Sequence, residues 1–325
     1  MAKKIKRVVF NLDIENKNKN TITKARAEYS PNEKDKSKYM ESALTMTEVN
    51  KISNIGGYIL LTAISIIWLI PFIFIVFESF RCETTTQVGY ILPKQWGFDN
   101  YVNLFQNTNF IRWYVNTFII AVCAAIGQTI FTLAMSYTLS RLRFKGRKLL
   151  MNFMLILGMF PGFLSMILLY NVLKDLNMVN EHSVPGLILV SVASSGMGYY
   201  VSKGFFDTIP KSLDEAARVD GATRLQVFYK VIMPLAKPIV IYTILTAFMA
   251  PWGDFMFAKY IAHVTSDGYN VAVGLQFLIS SPQNLAANYT KFCAGGVVVA
   301  IPVTLLFMFL QKYYVEGVTG GAVKG

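Results

Sequence analysis

A single carboxylate, Asp254, interrupts the apolar run Pro238–Ala258, directly after Pro251-Trp252-Gly253. A carboxylate in hydrocarbon costs about 2.5–3.5 kcal/mol on insertion scales, so it must face protein or water. Trp252 offers a flat face and Asp254 an acceptor, a pairing that suits a sugar ring. A structural hydrogen bond to a neighbouring helix is the other reading of Asp254. Gln128, inside another apolar run, has the same two readings: lining a pathway or bonding between helices. Other chemistry is excluded by what the chain lacks. No Gly-x-x-x-x-Gly-Lys-[Ser/Thr] phosphate loop is present, so the chain does not power itself. No nucleophile–base–acid cluster marks an enzyme. His182 and His263 stand far apart without ligand-spaced neighbours, and Cys82, Cys123 and Cys293 form no framework. No metal site and no cofactor of the chain's own are expected.

The elements that hold these residues are dictated by hydropathy. Of 325 residues, 54% are hydrophobic and 15% charged, against about 25% charged in a soluble domain. The apolar residues form long runs, and about 20 of them cross a hydrocarbon core of about 30 Å as a helix. Six runs qualify: Ile59–Phe77, Trp113–Leu139, Leu149–Leu173, Val184–Val201, Pro238–Ala258 and Phe292–Gln311. Val184–Val201 is the weakest, being short and containing Ser194-Ser195-Gly196. An all-α membrane protein of six spans is expected. With the N-terminus inside, 25 of the 31 basic residues fall on cytoplasmic segments. The run Arg141, Arg143, Lys145, Arg147 and Lys148 has no acidic residue, and such short-loop asymmetry sets topology. Both termini are therefore expected in the cytoplasm. The net charge of +12 lies beside spans rather than in an aromatic-studded patch, which excludes nucleic acid. Residues 1–53 are polar and lysine-rich without the apolar core of a signal peptide. They are expected to be a disordered tail near anionic lipid, preceding a six-span membrane domain at 54–325.

Between spans four and five, within residues 202–237, the sequence Pro210 to Gln226 reads as two short helices and a turn. Ser212 with Glu215, and Thr223 with Gln226, fit capping boxes. Asp220-Gly221 closes the first helix, and Pro234 ends the second. Leu213, Ala216 and Ala217 fall on one face, where small side chains let another surface approach the backbone. A helix lying on the bilayer surface is the alternative.

This loop resembles the signature of permease subunits in bacterial ATP-binding cassette importers: Glu-Ala-Ala, three residues, Gly, nine residues, Ile, any residue, Leu-Pro. Here Glu215-Ala216-Ala217 precede Gly221, Val231 and Met233 replace the isoleucine and leucine, and Pro234 keeps its place. The resemblance implies a type I importer permease fold in which the loop is a coupling helix seated in an ATPase subunit. Glu215, Ala216, Ala217, Gly221 and Pro234 are then the coupling residues. The likeness covers roughly Ile55 to Gly325 and is closest to the smaller permease of maltose and maltodextrin importers. The glycine-rich ending Val315–Gly325 is similar to one that contacts the paired ATPases. Tyr269–Tyr289, with Gln276, Pro282, Gln283 and Asn284, resembles an outside loop that reaches into the sugar-binding protein. The resemblance further implies a bacterial plasma-membrane assembly of this chain, a second homologous permease, two ATPases that bind the ATP and Mg, and an external binding protein. In that family the larger permease mainly holds the sugar. Galacto-oligosaccharide importers share the same loop. An ion-coupled secondary transporter is the main rival; it needs titratable residues near mid-membrane, of which Asp254 is the lone example, and leaves the loop without a role.

Overall fold

The computed structural model describes residues 33–83, 90–263 and 265–319. Every regular element among them is helical, and the one strand-like feature is an isolated antiparallel bridge between Arg81 and Trp96. Internal contacts divide the chain into two units, residues 1–70 and 71–325.

The first unit holds most of helix α1 (Glu33–Ser79). The helix starts well before the expected boundary at residue 54, which corrects the reading of the polar segment as disordered throughout. No glycine or proline interrupts residues 33–55, and alanine, methionine, lysine and glutamate there favour helix. Residues 1–32 lie outside the described residues.

The second unit continues with α2 (Asp99–Asn107), α3 (Phe110–Arg141), α4 (Arg147–Gly158), α5 (Gly162–Asp175), α6 (Ser183–Ala193), α7 (Tyr199–Thr208) and α8 (Lys211–Val219). After them come α9 (Arg224–Gln226), a π turn at Val227–Ile232, α10 (Met233–Leu235), α11 (Lys237–Gly253), α12 (Met256–Ala262), α13 (Val271–Leu278) and α14 (Pro282–Thr319). Three helical stretches, Ile55–Ser79, Phe110–Arg141 and Pro282–Lys312, are long and apolar enough to cross a bilayer unbroken. Two bent pairs add to these: α4 with α5 at 98°, and Arg224–Leu235 with α11 at 83°. The first break falls at Pro161-Gly162, where proline cannot continue the helix from α4. The expected span Val184–Val201 is built from α6, a 3-10 turn at Ser194–Gly198 and the start of α7. The turn occupies the serine–glycine stretch that weakened it in the sequence.

Large apolar side chains face outward along these elements: Ile156, Met159, Phe163 and Phe309 are 66%, 83%, 70% and 73% exposed. Such a surface is stable in hydrocarbon and aggregates in water. α3 lies at the centre and packs on α6, α7, α11 and α13. Its Trp113, Ile120 and Ala121 join Leu187, Trp252, Ile261, Val271 and Ala294 in the main core. Close approach of α6 depends on Gly127, since a Cβ there would stand 2.4 Å from Val192.

Candidate functional site

The loop between α7 and α11 folds as an elbow. α8 begins after Pro210, whose φ of −57° leads into the helix without any side-chain cap. Ser212 is inside the helix, so the expected Ser212–Glu215 capping box does not form. Pro210 takes the capping position instead. At the other end Gly221 adopts φ +84°. The amide of Gly221 donates to the Arg218 carbonyl at 3.1 Å and that of Ala222 to the Ala217 carbonyl at 3.0 Å. This is a Schellman closure, which needs a residue at ease in the left-handed region. The second capping box does form. The Gln226 amide donates to Thr223 Oγ1 at 3.3 Å, and the Thr223 amide donates to Gln226 Oε1 at 2.8 Å. Pro234 does not end this helix: the π turn before it precedes a further helical turn to Leu235, and the bend comes at Ala236. The wider turn is where a residue lacking its amide proton is accommodated.

One face of the elbow is packed and the other open. Ala217, Ala222 and Phe228 pack on a cluster of Leu133, Phe206, Ile209, Val227, Ile232 and Ile239. Ala217 is therefore half-buried where Leu213 and Ala216 are exposed, so packing divides the face that the three share. Glu215, Ala216 and Val219 lie on the open side, with Val219 88% exposed, and Leu213 is 41% exposed at its edge. Pro234 is exposed beyond it.

The end of α3 grips the inner side. Ser140 Oγ donates to Asp207 Oδ1 at 2.5 Å, and Lys203 Nζ pairs with the other Asp207 oxygen at 2.5 Å. Arg141 Nη2 donates to the Ile209 carbonyl at 2.9 Å, while its Nε lies 3.2 Å from Asp214 Oδ2. The Arg141 side chain is 3% exposed. A cleft of about 410 Å³ opens here, lined by Tyr137, Arg141, Lys211, Asp214, Arg218 and Arg224. Burial pushes the Asp214 carboxyl up, with Arg141 opposing. Burial also acts upward on Asp207, but hydrogen bonds from Lys203 and Ser140 outweigh it and hold that carboxyl below its ordinary value. Sequence reasoning missed Ser140, Arg141, Asp207 and Asp214. Their signal was present in part, since Arg141 opens the basic run read for topology.

The residues considered for a pathway are placed differently. α11 ends at Gly253, and Asp254 caps it with extended backbone (ψ 97°) rather than lying within the helix. Its carboxylate turns toward the backbone amides of Phe257 and Ala258, and its carbonyl accepts from Asn270 Nδ2 at 2.5 Å. Trp252 is 6% exposed, with Tyr114 edge-on at 5.2 Å and Phe248 at 6.0 Å. Gln128 is half-buried on α3. The structure brings Trp252 and Asp254 together in sequence but sets Gln128 apart on another helix.

On the far end of α3, Trp113 Nε1 donates to the Ser266 carbonyl at 3.0 Å, and Asn116 Nδ2 donates to the carbonyls of Asp267 and Tyr269 at 2.9 Å each. Thr117 Oγ1 accepts from the Val271 amide at 2.7 Å. These bonds fix the start of the α13–α14 hairpin. Its tip, Pro282, Gln283 and Asn284, is exposed, while Gln276 is half-buried on α13. The Ser281 hydroxyl accepts from the Asn284 amide at 3.1 Å and caps α14. Of the glycine-rich ending Val315–Gly325, residues 315–319 form the close of α14, and 320–325 lie outside the described residues.

Residues 131–320 match the family model described as "binding-protein-dependent transport system inner membrane component". The maltodextrin transport system permease protein MdxG of Bacillus subtilis is 35% identical over 285 residues, covering 87% of this chain and all of that protein. The galactooligosaccharides transport system permease protein GanQ of the same organism is 35% identical over 273 residues, covering 83% and 95%. A solved bacterial ABC transporter involved in the import of the acidic polysaccharide alginate shares the fold. Its TM-score is 0.69 at 24% identity, over 82% of this chain and 98% of that one. A helical bundle with a capped elbow, matched along most of its length by permeases, leaves one assignment: this chain belongs to the family of inner membrane permease components of binding-protein-dependent transport systems.

Proposed function

We propose that the chain forms half of the pathway of an ATP-driven importer of maltodextrin-type oligosaccharides and couples to ATPase subunits through α8. The observation that carries this reading is the elbow itself. Glu215, Ala216 and Val219 stand on an open face with Leu213 at its edge, held by a packed inner face and closed at Gly221. An apolar tip on a stiff support suits insertion into a cleft of a partner, because a stiff body transmits displacement that a loose loop absorbs. Hydrolysis belongs to that partner, which binds the ATP and Mg.

Both termini and the elbow lie in the cytoplasm in this reading, consistent with the basic run Arg141–Lys148. The exposed tip Pro282–Asn284, with Gln276 behind it, faces an external binding protein. A second homologous permease completes the pathway, and lipid covers the outward apolar faces. Trp252 and Asp254 serve the join between α11 and α12 more directly than sugar contact; uptake retained in both D254N and D254A supports that assignment, and loss in both returns Asp254 to the pathway.

Co-purification tests the core of the proposal. An ATPase subunit should accompany the wild-type chain and be lost when Gly221 or Glu215 is disrupted. A chain that moves solute without such a companion overturns the reading. Growth of a deletion strain on a panel of oligosaccharides tests the substrate: failure on maltodextrins is expected, and failure on galacto-oligosaccharides alone reassigns it.

A further inference from the structure

We propose that Arg141 is a positioning residue that fastens the elbow to α3, so that displacement of α8 reaches α3 directly and not solely through the chain joints to α7 and α11. The inference rests on the reading of α8 as the ATPase-contacting element. Leu133, Tyr137 and Arg141 are spaced by four and form a single stripe on α3. Leu133 and Tyr137 pack in the apolar cluster beneath the elbow, and the Tyr137 ring lies 4.8 Å from Phe228 of the π turn. Arg141 continues the stripe at the rim, reaching the Ile209 carbonyl at the α7–α8 joint and Asp214 in α8. Its neighbour Ser140 holds Asp207 of α7. Two adjacent residues thus hold both helices that meet at the joint.

Topology does not account for this placement. A positive charge sets orientation as well from the surface, and Arg143, Lys145 and Lys148 are exposed. Arg141 is turned inward with 3% of its side chain accessible, and Asp214 retains 15%. A buried ion pair is a poor source of net stability but fixes one geometry, because removing either partner strands the other. Apolar interlock below, with the Arg141–Ile209 hydrogen bond and the Arg141–Asp214 ion pair above, resists sliding of α8 against α3.

The test uses the assembled transporter, with ATPase subunits and binding protein, in proteoliposomes. The quantity read is sugar imported per ATP hydrolysed, which a loss of stability alone would not move. In R141Q and D214N the ATPase should still co-purify while that ratio falls about fivefold or more. The exchange R141D/D214R should restore it toward wild type. The pair R141C/D214C should show the low ratio until a short thiol-to-thiol linker joins the two positions, and recover once joined; the wild-type chain with its own three cysteines is the control. If a single variant fails to assemble, the linked pair decides. An unchanged ratio in the assembled single variants, or a linker that stops import while the ATPase stays bound, overturns the proposal. Failure of the wild-type chain to bring down any ATPase overturns the elbow reading itself, and is seen before any variant is compared.

Discussion

Replacing Gly221 separates a backbone requirement from a contact requirement at the elbow. Gly221 sits at φ +84°, and a Cβ built on it meets no heavy atom within 4 Å. A side chain there therefore has room, and the penalty is conformational: about 1–2 kcal/mol for an L-residue in the left-handed region. That amount shifts a two-state balance by about 5–30-fold. If the ATPase binds only the closed elbow, its apparent affinity falls with the closed fraction, by as much as that factor where the open elbow predominates. Asparagine tolerates this region better than alanine, and a β-branched residue worse. Titrating nanodisc-embedded chain with fluorescent ATPase subunit should rank wild type above G221N, then G221A, then G221V. Wild-type affinity in G221A refutes the conformational argument. Weaker binding by G221N than by G221A also refutes it, since dependence on side-chain size would place Gly221 against the partner.

Loss of the second cap should be local: T223A removes the acceptor for the Gln226 amide and costs about 1 kcal/mol, read as faster hydrogen exchange over residues 224–228 with α3 unchanged. G268A should lower the melting temperature, because its Cβ would stand 2.0 Å from the Asn180 carbonyl oxygen, an overpacking that costs about 1–3 kcal/mol. G253A, with nothing within 4 Å, is the control and should melt as wild type, apart from the small propensity gain of alanine. Asp207 supplies a pH test. Its folded carboxyl titrates below the unfolded value, so its stabilisation is complete above about pH 4 and is lost as pH falls through the folded value. Wild type should therefore melt above D207N at neutral pH and converge with it in acid; a gap undiminished in acid excludes the Lys203 and Ser140 bonds as its source.

Much of the architecture was legible in the chain because lipid imposes a coarse rule. Length and apolarity place helices, and Ser194–Gly196 marked where one weakens. The elbow was legible in part. Thr223 with Gln226 and the glycine at 221 act through neighbours in sequence, so local pattern sufficed. Ser212 failed as a cap because Pro210 already fixes the backbone entering the helix, and pattern alone does not rank the two. Ala217 shares a face with Leu213 and Ala216, but its burial was not legible, because it is decided by Phe206, Ile232 and Leu133, which are distant in sequence. Asp254 was read inside a span because hydropathy averages over Gly253, where the helix stops. The Arg141–Asp214 pair spans 73 positions, and two charges in a chain with 31 basic and 19 acidic residues give no sign of pairing without coordinates.

Among the described helices longer than thirty residues, α3 is the one without a proline; α1 carries Pro71 and α14 carries Pro302. Its 32 residues make a rod of about 48 Å, anchored by Trp113, Asn116 and Thr117 at one tip and by Ser140 and Arg141 at the other. A twist applied at either tip has no hinge in which to dissipate before it arrives at the opposite one. Whatever happens at the hairpin base and at the elbow is thereby geared together by a single shaft, while the bends lie elsewhere, between α4 and α5 and ahead of α11.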